Sequence, residues 1–355
     1  MKLGIFGLPQ TGKKTLFGLL TGAAASSPDA QKAVTGVAEI FDPRFDRLAA
    51  MYNPKKRTRA RINIDLLPKL EPDSAVEGDI FKNIADTDAL CHVVRAFRDE
   101  AVYHVSGSVN PARDIERISS ELILHDMLFV EKRLERLAAG KKKQGAELAK
   151  KEEDLLLRFK ERLDANRPLR GEPVSDEETK LIASYPFVTM KPVLIVLNVA
   201  DGDAGARAML DELSAKYGQE GVALMQISAR LELEIAALET PEERAEFMAE
   251  AGIVEPAVNL LSRLCMEALG LISYFTVGED EVRQWQVRRG ALAPEAGGVI
   301  HTDIARGFIR AEVIKYDDLI SLGGEDAVKK AGKLGVMGKD YEVRDGDIMN
   351  FRFNV

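Results

Sequence analysis

The stretch GIFGLPQTGKKTLFGLL, residues 4–20, constrains the fold of this chain more tightly than any other feature. A short apolar run ends at Gly7, Gly12 and Lys13 follow at the spacing G-x-x-x-x-G-K, and Leu16, Leu19 and Leu20 then recur at helical intervals. The pattern predicts a strand, a glycine-bounded loop and a helix. In such a loop successive backbone N–H groups and the helix N-terminus form a cradle for anions, and the lysine reaches the outer phosphates of a polyphosphate. Gly7, Pro9, Gln10, Thr11, Gly12, Lys13, Lys14 and Thr15 are therefore the candidate phosphate-binding residues. One of them breaks the motif. The hydroxyl that ligates Mg2+ after the lysine is replaced by Lys14, and a threonine comes one place later, at Thr15.

Four further runs, RINIDLL, DALCHVVRAF, PVLIVLNVA and GVALMQIS, are apolar or β-branched and alternate with helical stretches such as DPRFDRLAAMY and DGDAGARAMLDELSAKYG. Alternation of this kind predicts an α/β fold of the P-loop NTPase type, a doubly wound and mostly parallel sheet that binds ligands at the carboxyl ends of its strands. Asp65 closes one apolar run, where an acid can hold a metal ion through water. Asn198, Val199 and Asp201 lie in an N-x-x-D spacing suited to a base edge, and Ser228-Ala229 follows the next strand.

Between about residues 114 and 165, Ile123, Met127, Val130, Leu134 and Leu137 recur at alternating steps of four and three. This is the seam of a coiled coil. After the turn-like GKKKQG, Leu148, Leu155, Phe159 and Leu163 continue on a second charged helix, so an antiparallel helical hairpin inserted between two strands is expected. Beyond residue 270 come short aromatic and β-branched runs split by glycines, which predict a small α+β domain of mixed strands with little helix. The expected divisions are residues 1–113 and 170–270 for the nucleotide domain, 114–169 for the hairpin and 271–355 for the C-terminal domain.

A net charge of −8 excludes a surface built throughout for nucleic acid, though PKKRTRAR (Lys55, Lys56, Arg57, Arg59, Arg61) forms a local basic run whose simplest reading is a solvated edge. Cys91 and Cys265 each sit among apolar residues and read as buried thiols of a reducing cytoplasm. No stretch has the length and apolarity of a signal or a membrane span, so a cytoplasmic protein without membrane contact is expected.

With these residues in order, the chain resembles the YchF family of Obg-like ATPases over nearly its whole length. GLPQTGKKTLF is similar to that family's GLPNVGKSTLF; DALCHVVRAFRDEAVYHVSGSVNPARDIE, SELILHDMLFVEKRLERL and KPVLIVLNV match its central segments, and ISYFTVGEDEVRQWQV through DGDIMNFRFNV resembles its C-terminal TGS domain of β-grasp type. The resemblance implies a domain that binds ATP rather than GTP, a coiled-coil arm, a TGS domain and a link to ribosomes or translation. It also implies that the histidine of YHVSGSVNP, His104, takes the place of the usual water-positioning glutamine.

The departures from the family pattern fall on one function. Lys14 stands where the family has its magnesium serine. Asp65-Leu66-Leu67-Pro68 replaces D-I-A-G, and proline has no amide hydrogen for a γ-phosphate. KLEPDSAVEGD replaces a longer glycine-rich switch, and SSPDAQKAVTG lacks a threonine at the switch position, Thr35 lying too close to Gly36 to align with it. The sequence therefore predicts nucleotide binding, with ATP or GTP, in which a Lys14 ammonium stands in part for Mg2+ and hydrolysis is weak or lost. The alternative is an active Mg2+-dependent ATPase or GTPase switch. Ribosome, RNA or protein is the expected partner, through the hairpin and the C-terminal domain.

Overall fold

The computed structural model describes residues 1–22, 33–68, 79–140, 146–218 and 222–354. The switch segments at 26–32 and 69–78 and the turn at 141–145 lie outside the described residues. The chain forms two compact units, Met1–Val37 with Asn63–Val258, and Ala38–Ile62 with Asn259–Val355.

From the N-terminus run β1 (Lys2–Phe6), α1 (Lys13–Thr21), β2 (Val34–Glu39), α2 (Pro43–Tyr52), β3 (Lys56–Thr58), β4 (Arg61–Leu66), α3 (Asp79–Ala85) and β5 (Ala89–Arg95). There follow α4 (Pro111–Gly140), α5 (Ala146–Asp164), α6 (Asp176–Ile182), β6 (Val193–Asn198), α7 (Ala206–Tyr217), β7 (Ala223–Ile227), α8 (Ala229–Ala237), α9 (Pro241–Glu250) and α10 (Ala257–Ala268). The C-terminal part contains β8 (Leu271–Thr276), β9 (Glu281–Arg288), α11 (Ala293–Ile300), α12 (Thr302–Arg306), β10 (Phe308–Lys315), α13 (Tyr316–Leu322), α14 (Glu325–Lys330), β11 (Gly335–Met337) and β12 (Asp347–Phe353). Among the described residues no helix is long and apolar enough to cross a membrane.

The first sheet has the order β2-β4-β1-β5-β6-β7, and the pairs β1/β4, β1/β5, β5/β6 and β6/β7 are parallel. Every residue of β5 and β6 is buried, as expected for strands covered on both faces, which is why their sequences are continuous apolar runs. Register places Ile5 beside Leu66, Phe6 beside His92, Arg95 beside Asn198 and Asn198 beside Ile227. The carboxyl ends of these strands therefore form one rim.

The first turns of α4 belong to the sheet's core, with Ile115, Ile118 and Leu122 buried in it. Further along, Ile123, Met127, Val130, Leu134 and Leu137 pack with Leu155, Phe159 and Leu163 of α5. Glu131 pairs with Lys160 at 2.7 Å and Arg133 with Glu152 at 2.6 Å, so the two helices run in opposite directions. Leu148, expected in the seam, is 60% exposed. The buried part of α5 meets a third layer, Ile182 and Phe187, which the heptad pattern does not reveal and which does not include Leu148. Asp126, wholly buried, fastens α4 to the chain before β6: its carboxylate accepts from the amides of Val188 (3.0 Å) and Thr189 (2.8 Å) and from the Thr189 hydroxyl (2.6 Å).

In the second unit the sheet order is β11-β10-β12-β8-β9-β3. The pairs β8/β9, β10/β12 and β10/β11 are antiparallel, while β12/β8 and β3/β9 are parallel. One face, with Tyr274, Val313 and Phe351, packs with Ala293, Ala296 and Ile304 of α11 and α12. The other, with Phe275, Val282, Ile314 and Ile348, packs with Phe45 and Leu48 of α2. That burial is why the segment Ala38–Ile62 groups with the C-terminal residues rather than with the strands that flank it in sequence. The expectation of little helix is corrected, because four short helices lie between the strands. Gly297, which reads as a breaker, is a packing position instead: a Cβ on it in α11 would lie 2.6 Å from Ile304.

The basic run is paired within its own unit. Lys55 meets Asp280 at 2.8 Å, Lys56 meets Glu281 at 3.0 Å, Arg61 meets Glu39 at 2.7 Å, and Arg59 bonds to Asp46. Cys91 and Cys265 are free and buried.

Candidate functional site

The loop after β1 turns sharply, and two glycines are required by space as well as by backbone. Gly7 has φ 144° and its Cβ would lie 2.4 Å from the Val93 carbonyl oxygen; Gly12 has φ 95° and its Cβ would lie 2.3 Å from Asn198 Nδ2. Gln10 between them adopts φ 62°, a left-handed conformation uncommon for a side chain of its size. Gly12 caps α1 and leaves the amides of its first turn facing the loop.

Three loops are joined through Asn198. Its Nδ2 donates to the Thr11 carbonyl at 3.0 Å and its Oδ1 accepts from the Ala229 amide at 3.1 Å. The Thr11 hydroxyl donates to the Leu8 carbonyl at 3.2 Å. Ser228 caps α8 by accepting from the Leu231 amide at 3.3 Å, and the Val199 amide donates to Ile227 at 3.0 Å. Asn198 therefore links the loop after β1 to the start of α8 at Ala229, with Val199 and Ser228 beside it in the chain. Asp201 is exposed in the turn after β6, and no hydrogen bond ties it to this group. Pro9 is half-buried and Gln10 exposed on the loop's outer side.

Lys13 is buried, and its ammonium donates to the carbonyls of Gly7 (2.8 Å) and Leu8. Lys14 is exposed, and Thr15, half-buried, points about 100° further round the helix. Asp65 is 5% exposed; its carboxylate accepts from the Thr35 hydroxyl at 2.6 Å and pairs with the Lys2 ammonium at 3.5 Å. These donors do not suit a magnesium ion, which takes oxygen ligands in strict octahedral geometry. The hydroxyl position carries an ammonium, and the acid is already engaged by a cation. Among the described residues no cluster of three or more His, Cys, Asp or Glu side chains could hold a metal. Pro68, buried, offers no amide hydrogen.

Three residues that sequence reasoning passed over border the site. His92 lies beneath the loop, 3% exposed, its ring 5.0 Å from that of Phe6. Burial, with the Lys13 ammonium adding to it, holds the imidazole down to about 3, so it is neutral. Arg95, 2% exposed at the end of β5, donates to the carbonyls of Phe97, Asp99, Val102 and Tyr103 at 3.1–3.2 Å and stacks on Phe97. It holds closed the loop that leads to His104. Asp114, in the first turn of α4, lies 3.1 Å from His104 Nε2. The only signal in the sequence for Arg95 is a charge ending an otherwise apolar strand; for Asp114 it is an acid at a helix start.

His104 is itself buried, and its hydrogen-bond partners are Asp114 and Ser106 rather than residues of the loop after β1. Its Nδ1 accepts from the Ser106 amide at 3.1 Å, which assigns the proton to Nε2 and makes Nε2 the donor to Asp114.

Comparison with known proteins agrees with this architecture. Residues 271–354 match the YchF-GTPase C-terminal family, described as a protein of unknown function. The chain is 39% identical to the ribosome-binding ATPase YchF of Bacillus subtilis (strain 168), covering 99% of both chains. It is 41% identical to the protein of the same name from Haemophilus ducreyi, covering 100% of this chain and 99% of the other. Among solved structures, that of the Schizosaccharomyces pombe YchF GTPase superposes with a TM-score of 0.85 at 31% identity, over 99% of this chain and 97% of that one. With a parallel sheet, a glycine-pinned loop after its first strand and this extent of identity over the whole chain, the chain belongs to the YchF family.

Proposed function

We propose that this chain binds ATP or GTP at the loop Gly7–Thr15, associates with the ribosome, and hydrolyses nucleotide weakly or not at all. The observation that carries the binding is the bracing of the loop by Asn198, which holds Thr11 and Ala229 against one rim and keeps the amide cradle open. Backbone amides of Gln10, Thr11 and Gly12 and the ammonium of Lys13 serve the phosphates, while Pro9, which has no amide hydrogen, lines the loop; Asn198, Val199, Asp201, Ser228 and Ala229 border the base. Relatives named as ribosome-binding ATPases support the partner and, with it, a cytoplasmic site of action. The hairpin and the C-terminal unit are the surfaces offered to ribosome, RNA or protein.

The weak hydrolysis rests on the donor set. Lys14 neutralises phosphate charge without bridging the leaving group, which is what the metal contributes to phosphoryl transfer. The second reading, an active Mg2+-dependent NTPase, has one observation in its favour: the Thr35 hydroxyl lies 2.6 Å from Asp65 and offers an oxygen beside that acid. Measuring ATP and GTP affinity with Mg2+ and with chelator, and single-turnover hydrolysis in parallel, separates the two. Affinity little changed by chelation and slow turnover are expected; brisk Mg2+-dependent turnover that stops in Lys13→Ala refutes the proposal.

A further inference from the structure

In the sheet of the second unit, β12 meets β8 through a single register pair, Ile348 beside Phe275. β8 ends one residue later, at Thr276, and turns into β9, while β12 runs on to Phe353 beside β10. Among the described residues no strand takes the place of β8 along Met349–Phe353, and a cavity of about 290 Å3 fills part of that gap. It lies at the lower end of the roughly 300–1,000 Å3 usual for ligand sites, so it suits a molecule of metabolite size. Its walls are apolar on both faces of the sheet. Ile304, Met349 and Phe351 reach it from the core beside α11 and α12, Ile314 and Ile348 from the core beside α2, and all five are buried.

Charged groups of both signs line its solvent end. Glu325 and Lys329, one turn apart on α14, have side chains 39% and 50% exposed. The Lys329 ammonium stands 3.8 Å from Glu325 Oε2 and 4.0 Å from Asp326 Oδ1, beyond hydrogen-bond reach of both. Glu325 Oε1 accepts from the Tyr52 hydroxyl at 2.9 Å, which fixes the carboxylate and leaves Oε2 towards the lysine. The other acid at the wall, Glu312, is engaged by Arg352 at 3.2 and 3.1 Å. Thr276 accepts from Trp285 Nε1 at 2.9 Å and keeps its own hydroxyl hydrogen to donate. A carboxylate and an ammonium held apart beside an apolar cavity match a zwitterion laid head to tail across them. Each protein charge then gains a charge-assisted hydrogen bond that their own loose pairing does not supply. A simple anion would be repelled by Glu325 and a simple cation by Lys329, and a ligand with no apolar part would leave the buried walls unfilled. We propose that this cavity binds a free α-amino acid with an apolar side chain, its carboxylate on Lys329, its ammonium on Glu325 and its side chain in the gap beyond the end of β8. The site lies within the second unit and does not depend on the nucleotide reading.

Trp285 is the single tryptophan of the chain, and its bond to Thr276 makes its emission a reporter at the cavity wall. Titrating the full chain with L-leucine, L-methionine and L-phenylalanine is expected to shift that emission saturably for at least one of them, with calorimetry alongside to detect binding that leaves it unchanged. For the amino acid that binds, the C-terminal amide lacks the carboxylate and the N-acetyl derivative lacks the ammonium. Each is expected to bind at least about tenfold more weakly, as the loss of one charge-assisted hydrogen bond implies. Lys329→Ala, at a half-exposed position where the fold is spared, is expected to weaken the parent amino acid by a similar factor. Val277→Phe, which fills the cavity from a half-buried position on its wall, is expected to abolish binding. Should Val277→Phe not fold, Lys329→Ala decides alone. The proposal is overturned by the absence of saturable binding of all three amino acids in both measurements, by derivatives that bind as well as the parent, or by Lys329→Ala binding as tightly as wild type.

Discussion

Asn198 at the end of β6 donates to the carbonyl of Thr11 across the rim at 3.0 Å, a bond between residues 187 positions apart in the chain. With the same amide accepting from Ala229, one side chain sets the spacing of three loops. Replacing it leaves a buried carbonyl and a buried amide without partners. Asn198→Ala is expected to lower stability by about 1–3 kcal/mol. It should also weaken nucleotide binding at least about tenfold, since loop geometry and not a lost phosphate contact is at stake. Denaturant titration and calorimetric binding check both; unchanged affinity would show that the brace is dispensable to the cradle.

Lys14 makes a sharper prediction about the metal. Lys14→Ser restores the hydroxyl position of the motif, and nucleotide affinity in that variant should rise on adding Mg2+ by about tenfold or more, against little change in wild type. A wild-type protein with the stronger magnesium dependence of the two would end the idea that the ammonium stands in for the cation.

His92 makes stability depend on pH in a definite direction. Its imidazole titrates at about 3 when folded, against 6.5 for the unperturbed group. Between those values the unfolded chain binds the extra proton, so stability is full above about pH 6.5 and falls by about 1.4 kcal/mol per unit as pH drops towards 3. Neutral variants such as His92→Gln should flatten that part of the profile. Denaturation midpoints measured from pH 7.5 to 4.5 test it, and identical slopes in variant and wild type would contradict it.

Asp126 supports the root of the helical hairpin. Asp126→Ala strips the acceptor from two amides and a hydroxyl, all buried, and is expected to cost roughly 3 kcal/mol. Amide exchange should accelerate first at Val188 and Thr189. If those amides keep their protection, the carboxylate is not what holds the helix there.

The run Lys55-Lys56 is paired with Asp280 and Glu281, and exposed pairs of this kind contribute about 0–1 kcal/mol each. Lys55→Gln with Lys56→Gln should leave both stability and ribosome co-sedimentation near wild type. Loss of co-sedimentation would turn this edge into a contact surface.

Local chemistry made part of this legible. Gly7 and Gly12 announce the loop because no other residue fits their backbone and space, and β5 and β6 announce a covered parallel sheet because total burial demands uninterrupted apolar runs. The apolar repeat from Ile123 to Leu137 was visible for a different reason, because residues three and four apart share one face of a helix. Leu148 was misread because periodicity records which residues share a face, not whether a third layer covers it. The helix α11 was passed over because Gly297 serves packing, and against Ile304 it is indistinguishable from a helix breaker until its neighbour is in view; α12–α14 are 5–7 residues long, too short for a helical period to show.

The sequence by itself determined the glycine-bounded turn after β1, the alternation of strands and helices, Lys14 at the motif's hydroxyl position and the family likeness, all of which depend on residues close together in the chain. Only the tertiary structure decided that Asn198 is a brace, that Asp65 is taken by Thr35 and Lys2, that Ala38–Ile62 packs on the C-terminal sheet, and that both nitrogens of His104 are occupied. Those facts concern which hydrogen bonds and buried faces are shared between distant segments, and a linear pattern carries no information about a partner until folding brings it within reach.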